Sequence, residues 1–224
     1  MLPIPVRELS MKRLDLDTVL KPSTLATTLP MNAPLVVAVV GASHSAIQAF
    51  TNLVELARLS HPQLQVKWFT RHSLQYAEYM DGWILRDNTS LKDLAAEFAR
   101  EQLEDVRLPQ SEAGRFIEKI DCAGNELSAY ERHLPDCTHL VQAVGFTRDP
   151  LPQLSRNGQT LNPEFDHEFG SFVDEEGRIL RGLYGAGIAF PERVVDPHGN
   201  VEYAVGLYKF MKFVKRVCPT WTTA

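Results

Sequence analysis

The sequence predicts an α/β fold of the Rossmann-like, doubly wound type, with a mostly parallel sheet, helices on both faces and an irregular N-terminal arm. Three observations predict it. A continuous apolar run at residues 35–40 is followed by a short loop, apolar residues then recur at helical spacing over 47–57, and residues 66–69 (VKWF) are typical of a second short strand. Strand, helix and strand within about 30 residues form the unit from which a parallel sheet is built.

The segment before the first strand has a different composition. Residues 1–34 are rich in proline and threonine and carry one short periodic stretch, at 6–20. We therefore expect an N-terminal arm over residues 1–34, packed on its own domain or on a neighbouring subunit. Residues 35–224 are then expected to form one dinucleotide-binding-type domain.

Two helices are expected after the second strand. The apolar spacing over residues 91–103 predicts an amphipathic helix, with Ser90 as its N-cap and Asp93 in the capping-box position. A further helix is expected over residues 111–120. Both would cover the sheet.

The last third of the chain adds strands and a closing helix. Residues 139–144 (HLVQAV) are mostly apolar and are followed by Gly145, which predicts another buried strand and then a tight turn. Residues 182–188 are typical of a glycine-rich strand end. A final helix is expected over residues 201–217.

Composition and charge exclude several classes of function. The formal net charge is −5, from 23 basic and 28 acidic residues, and no basic stripe suggests nucleic-acid binding. The sequence has no apolar run of about 20 residues and no N-terminal signal pattern, so we expect a cytoplasmic protein that binds no membrane. The three cysteines form no C-x-x-C pair, and no metal site is expected.

The loop after the first strand carries the main functional signal. A dinucleotide-binding loop needs small residues where the strand turns, where the backbone approaches the pyrophosphate and where the helix packs on the strand. Gly41, Ser43 and Ala46 occupy these places. The hydroxyls of Ser43 and Ser45 can bond phosphate, and the start of the helix supplies unpaired N–H groups. Arg71 follows the second strand, where arginine accepts a 2′-phosphate, so NADP is expected over NAD; the alternative is a solvated surface arginine.

Three residues are candidates for proton transfer. His44 lies in the phosphate loop, where a protonated ring can pair with phosphate and a neutral ring can act on a substrate; the alternative is a capping or packing role. Asp196 can orient the imidazole of His198 beside the glycine-rich strand end, where open α/β sheets place ligands. The alternative for this pair is a polar turn before the last helix.

Three stretches, from residue 35 to the C-terminus, resemble flavin-dependent pyridine-nucleotide oxidoreductases, especially the N-hydroxylating monooxygenases. They are LVVAVVGASHSAIQAF with WFTRHS, LVQAVGFTRDPLP and GLYGAGIAFP. The resemblance implies that the loop residues and Arg71 hold NADPH, and that Gly145, Gly185 and Gly187 lie near a flavin. It also implies that the C-terminal part of residues 35–224 is a remnant of a flavin domain.

The resemblance has one large departure. Such proteins begin with a strand and a G-x-G-x-x-G loop for the ADP half of FAD, and residues 1–34 contain neither. We therefore do not expect this chain to hold FAD by itself. A surface uncovered by the loss of a front domain would be apolar, which predicts a two-fold homodimer with the arm at its interface.

Three functions follow as hypotheses. The first is an NADPH-binding oxidoreductase-like protein, derived from the flavoprotein monooxygenases, that acts on a small organic metabolite. The second is a non-redox isomerase or cyclase of a biosynthetic pathway that uses the old cofactor cleft. The third is a non-catalytic partner of another flavoprotein chain. A colourless protein that binds no nicotinamide and still has a formed pocket would indicate the second, whereas size-exclusion mass and co-purification separate the third from the others.

Overall fold

The structure is a computed structural model that describes residues 11–145 and 147–221. These residues form two compact units. The first unit contains residues 11–79 and 90–145, and the second contains residues 80–89 and 147–221. Residues 1–10 of the expected arm lie outside the described residues.

A five-stranded parallel sheet lies at the centre of the first unit and confirms the predicted α/β fold. The first seven strands of the chain are β1 (Lys12–Arg13), β2 (Leu35–Val40), β3 (Leu64–Thr70), β4 (Glu78–Tyr79), β5 (Ile84–Leu85), β6 (Ile117–Asp121) and β7 (His139–Gln142). The sheet has the order β1-β7-β2-β3-β6, and all of its pairs are parallel. From β2 the chain therefore proceeds outward to β3 and β6, and then crosses back to β7 on the other side.

Five helices accompany this sheet in the first unit. They are α1 (Leu16–Val19), α2 (Pro22–Thr28), α3 (His44–Leu59), α4 (Asp93–Phe98), which continues as a π-helical turn over Ala99–Leu103, and α5 (Glu126–His133). Alternate residues of β2 belong to two separate apolar clusters. Val37 and Val39 pack with Phe50 of α3, whereas Ala38 packs with Tyr130 of α5. Helices thus cover both faces of the sheet, which explains why β2 is apolar at every position.

The described part of the N-terminal segment packs on its own chain. Residues 11–34 supply β1, which pairs with β7, and the helices α1 and α2. Val19 and Leu29 are buried, and the backbone carbonyl of each forms a hydrogen bond with a side chain in or just after α3. The Asn52 amide donates to the Val19 carbonyl at 2.9 Å, and Nε2 of His61 lies 3.1 Å from the Leu29 carbonyl oxygen.

Two predictions for the first unit are wrong. The segment at residues 111–120 is not an α-helix. It forms one short 3₁₀ turn, Ala113–Arg115, and then β6, which is held by its pairing with β3. Ser90 is not an N-cap, since α4 begins at Asp93 after Lys92. The residue between them, Leu91, is extended and exchanges backbone hydrogen bonds with the segment around residues 75–77.

The second unit consists of antiparallel strands and one long helix. Its elements after residue 146 are β8 (Leu154–Arg156), β9 (Gln159–Leu161), β10 (Glu164–Asp166), β11 (Ser171–Val173), β12 (Ile179–Tyr184), β13 (Arg193–Val195), β14 (Val201–Tyr203) and α6 (Leu207–Trp221). Strands β10, β11 and β12 form a three-stranded sheet, and β8-β9 and β13-β14 form hairpins. The last helix therefore begins six residues later than the predicted 201, because residues 201–203 pair with β13.

None of the helices within residues 11–145 and 147–221 is long and apolar enough to cross a lipid bilayer.

Candidate functional site

The loop at residues 41–46 lies where the strand order of the parallel sheet reverses. It follows the carboxyl end of β2, which has β3 on one side and β7 on the other. In open α/β sheets a crevice forms at such a point, because the loops after the two adjacent strands lead to opposite faces of the sheet. The topology thus places the predicted phosphate loop at the position where this class of fold binds ligands.

Gly41 makes the sharp turn at the start of the loop. Its φ is +131°, and a Cβ at this position would lie 2.3 Å from the carbonyl oxygen of Ala143. Its N–H donates to the Phe69 carbonyl at 3.0 Å, and its carbonyl accepts from the indole N–H of Trp68 at 2.8 Å. Both the backbone conformation and the contact with the end of β7 therefore require glycine.

The helix α3 begins directly after this turn. Ser43 is the N-cap in an extended conformation, and its side chain forms no capping bond in the described part of the chain. The first intrahelical bond runs from the Ile47 N–H to the Ser43 carbonyl at 3.0 Å. The amides up to Ala46 therefore stand outside the helical ladder, while the methyl group of Ala46 is buried. Together with Ser45, these residues form the predicted strand-loop-helix arrangement.

His44 is placed in the loop as a hydrogen-bond acceptor. Its Nε2 accepts the backbone N–H of Lys92 at 3.1 Å, so its proton is carried on Nδ1. Burial, and then the positive charge of Lys92, lowers the pKa of the His44 imidazole. The ring is therefore neutral near neutral pH, which does not favour pairing of a protonated ring with phosphate. A role in proton transfer stays a prediction.

Arg71 lies just beyond the carboxyl end of β3, as the sequence predicts. Its side chain is 59% exposed, and Nη1 is 3.7 Å from a carboxylate oxygen of Glu126. An exposed pair of this length is worth about 0–1 kcal/mol, so the guanidinium is available to a competing anion. It lines a cavity of about 520 Å³ whose other polar lining residues include His72, Ser73, Asp105, Lys119 and Asp121.

The three glycines assigned to a flavin by resemblance have different surroundings. Gly145 in the first unit and Gly187 in the second have φ of +90° and +89°. Apart from their chain neighbours, no described residue has an atom within 4 Å of the position of a Cβ on either glycine. In the second unit, a Cβ on Gly185 would lie 2.8 Å from the ring of Phe190 and 3.0 Å from that of Phe165. Gly185 is therefore required by aromatic packing within its own unit, and the flavin contacts stay predictions.

Asp196 organises the turn between β13 and β14. Its carboxylate accepts the backbone N–H groups of His198 at 2.9 Å and of Asn200 at 2.8 Å, and the Asn200 amide at 2.8 Å. The bond from the Asn200 side chain contributes most to lowering the pKa of Asp196. Among the described residues, the Asp196 carboxylate accepts from the backbone N–H of His198 and not from its side chain. The His198 imidazole instead packs against the Trp83 ring, with the ring centres 4.9 Å apart. This arrangement fits a polar turn, and a role of Asp196 and His198 in proton transfer stays a prediction.

Sequence reasoning missed two contributors to this region. Trp68 was part of an apolar strand pattern, and nothing in that pattern shows that its N–H meets Gly41. Lys119 fell in a segment predicted to be helical, although it lies on β6 and lines the cavity next to Arg71. Within residues 11–145 and 147–221, no group of three or more His, Cys, Asp or Glu side chains could hold a metal ion.

The sheet order and the strand-loop-helix arrangement define a Rossmann-like α/β unit. No family model and no solved structure matches the chain. The chain is 71% identical over 225 aligned residues to a curated protein named Monooxygenase AgnR1 from Paecilomyces divaricatus. The alignment covers 100% of this chain and 57% of that relative, so the chain spans little more than half the length of the protein it matches.

Proposed function

We propose that this chain is the NADPH-binding part of a flavin-dependent monooxygenase-type oxidoreductase that acts on a small organic metabolite. The strand-loop-helix geometry at Gly41 carries the proposal. The name of the relative at 71% identity supports the monooxygenase class. The resemblance to flavin-dependent oxidoreductases supports the flavin, and the position of Arg71 after the second strand supports NADPH.

The loop offers the chemistry that a pyrophosphate requires. Gly41 turns the chain tightly against Ala143, and α3 then presents its first amides together with the positive end of a 16-residue helix. The Ser43 side chain is exposed and does not cap the helix, so its hydroxyl can donate to a phosphate oxygen. The neutral His44 ring adds no charge here, so anion binding in the loop depends on the backbone amides and on the serine hydroxyls.

Arg71 carries the proposed preference for NADPH over NADH. It stands after the second strand of the βαβ unit, where the adenosine ribose lies in this type of fold. Its weak, exposed pair with Glu126 can be exchanged for a bidentate pair with a 2′-phosphate. When bound, NADPH would supply a hydride to the flavin; the described residues of this chain bind and orient the nucleotide.

Calorimetric titration of the full chain with NADPH and with NADH tests the proposal. Arg71→Ala should weaken NADPH roughly ten- to a hundredfold, because a hydrogen-bonded charge pair is lost, and should leave NADH nearly unchanged. Arg58→Ala is the matched control, since Arg58 is also exposed and paired with a carboxylate, that of Glu55 at 2.8 Å. If Arg71→Ala lowered the affinity for NADPH and NADH equally, Arg71 would not determine the preference for NADPH. A wild-type chain that binds neither nucleotide would overturn the proposed function.

A further inference from the structure

We propose that Trp68 is a positioning residue that fixes the loop at residues 41–46 in its anion-binding conformation. The inference rests on the proposed function in so far as the anion is the pyrophosphate of NADPH. Trp68 lies on β3, directly opposite Val39 of β2, and is fully buried. The only polar atom of its side chain donates to the Gly41 carbonyl at 2.8 Å.

The position of the indole is itself held by two neighbours. The ring of Phe50 on α3 lies 5.2 Å away at a tilt of 58°. The Lys119 ammonium lies 4.9 Å from the centre of the indole ring and pairs with Asp105 at 2.6 Å. The donor is therefore oriented by α3 and β6.

The bond from Trp68 determines more than the position of one carbonyl. The peptide group between Gly41 and Ala42 is planar and trans. The Gly41 C=O and the Ala42 N–H therefore lie in one plane and point in opposite directions. Fixing the carbonyl toward the indole thus directs the Ala42 N–H away from the sheet interior. The Gly41 N–H is already bonded to the Phe69 carbonyl at 3.0 Å, so both sides of the turn are bonded to β3.

The replacement Trp68→Phe removes the N–H while keeping an aromatic ring. In the ligand-free chain, the amides of residues 41–46 should exchange hydrogen faster. The affinity for NADPH should fall about two- to tenfold, which corresponds to the loss of one neutral hydrogen bond. The affinity for NADH should fall by the same factor, because both nucleotides contain the pyrophosphate. This equality distinguishes Trp68 from Arg71, whose loss should affect only NADPH.

Two control variants separate this role from stability alone. Trp221→Phe removes another indole-to-carbonyl bond, to Phe169 in the second unit at 3.1 Å, and should not change exchange of the loop amides. Val66→Ala shortens a buried residue of the same strand, and should lower the melting temperature without changing loop exchange or nucleotide affinity. If Trp68→Phe behaves like Val66→Ala, the residue is only part of the core and the proposal is overturned.

The exchange experiment needs no nucleotide, so it distinguishes two kinds of failure. Faster loop exchange in Trp68→Phe, together with a wild-type chain that binds neither nucleotide, would support the positioning role and refute the proposed function. Unchanged loop exchange in Trp68→Phe, with a wild-type chain that binds NADPH, would refute the positioning role and leave the proposed function standing.

Discussion

Replacing Gly41 by alanine should strongly destabilise the first unit. The new Cβ would lie 2.3 Å from the Ala143 carbonyl oxygen and 3.0 Å from its carbon. Both atoms belong to the backbone at the end of β7, where the Ala143 N–H donates to the Val40 carbonyl at 2.8 Å. The contact cannot be relieved by a side-chain rotation, so the loop or the strand end must move.

Two contributions add to the cost. A non-glycine residue held at a φ of +131° is strained, by about 1–3 kcal/mol. Forcing an extra carbon into a packed region costs about 1–3 kcal/mol more. The sum, about 2–6 kcal/mol, is a large part of the roughly 5–15 kcal/mol by which proteins are stable. At about 2–4 °C per kcal/mol for a chain of this size, the melting temperature should fall by roughly 4–24 °C.

The assay is thermal unfolding monitored by circular dichroism, with Gly124→Ala as the control. Gly124 also lies in the first unit at a positive φ, of +82°. Apart from its chain neighbours, none of the residues in 11–145 and 147–221 has an atom within 4 Å of the position that a Cβ would take there. The control therefore measures backbone strain without the clash. Equal melting temperatures for the two variants would refute the close approach of Gly41 to Ala143.

Two further predictions concern the same unit. Because the pKa of His44 is lowered from 6.5, its neutral ring favours the folded state above that pH, and this contribution is lost as the pH falls through the lowered value. His44→Gln should therefore reduce the loss of stability between about pH 7 and pH 5 in urea unfolding, and an unchanged pH dependence would contradict this. Asn52→Ala should cost about 1–3 kcal/mol in the same assay, because the buried Val19 carbonyl loses its donor; a change below about 0.5 kcal/mol would show that the bond does not anchor α1.

The central βαβ unit was predictable because its signals are local. Residues 35–40 are apolar without interruption, and the structure extends β2 over the same six residues. The predicted helix over 47–57 is α3, which begins a few residues earlier at His44. By contrast, β6 depends on pairing with β3, which lies about 50 residues away in sequence. The local secondary-structure propensity of residues 111–120 does not depend on that partner and so could not predict the strand.

The site was predictable to a similar extent. The turn at Gly41 and the place of Arg71 follow from their position after two consecutive strands. The interaction of Trp68 with Gly41 does not, because the pattern of a strand gives no sign of where an indole N–H points. The binding of Asp196 to backbone amides likewise depends on the shape of the β13-β14 turn, which its sequence spacing to His198 does not determine.

Binding of NADPH at residues 41–46 is tested most directly by amide hydrogen exchange of the wild-type chain with and without a saturating concentration of the nucleotide. Addition of NADPH should slow exchange at the amides of residues 42–46 and in the segment that follows β3, around Arg71. NADH should protect the first group and have a smaller effect on the second. Protection confined to other segments, or none at residues 42–46 under conditions where NADPH binds, would contradict the assignment of this loop as the pyrophosphate site.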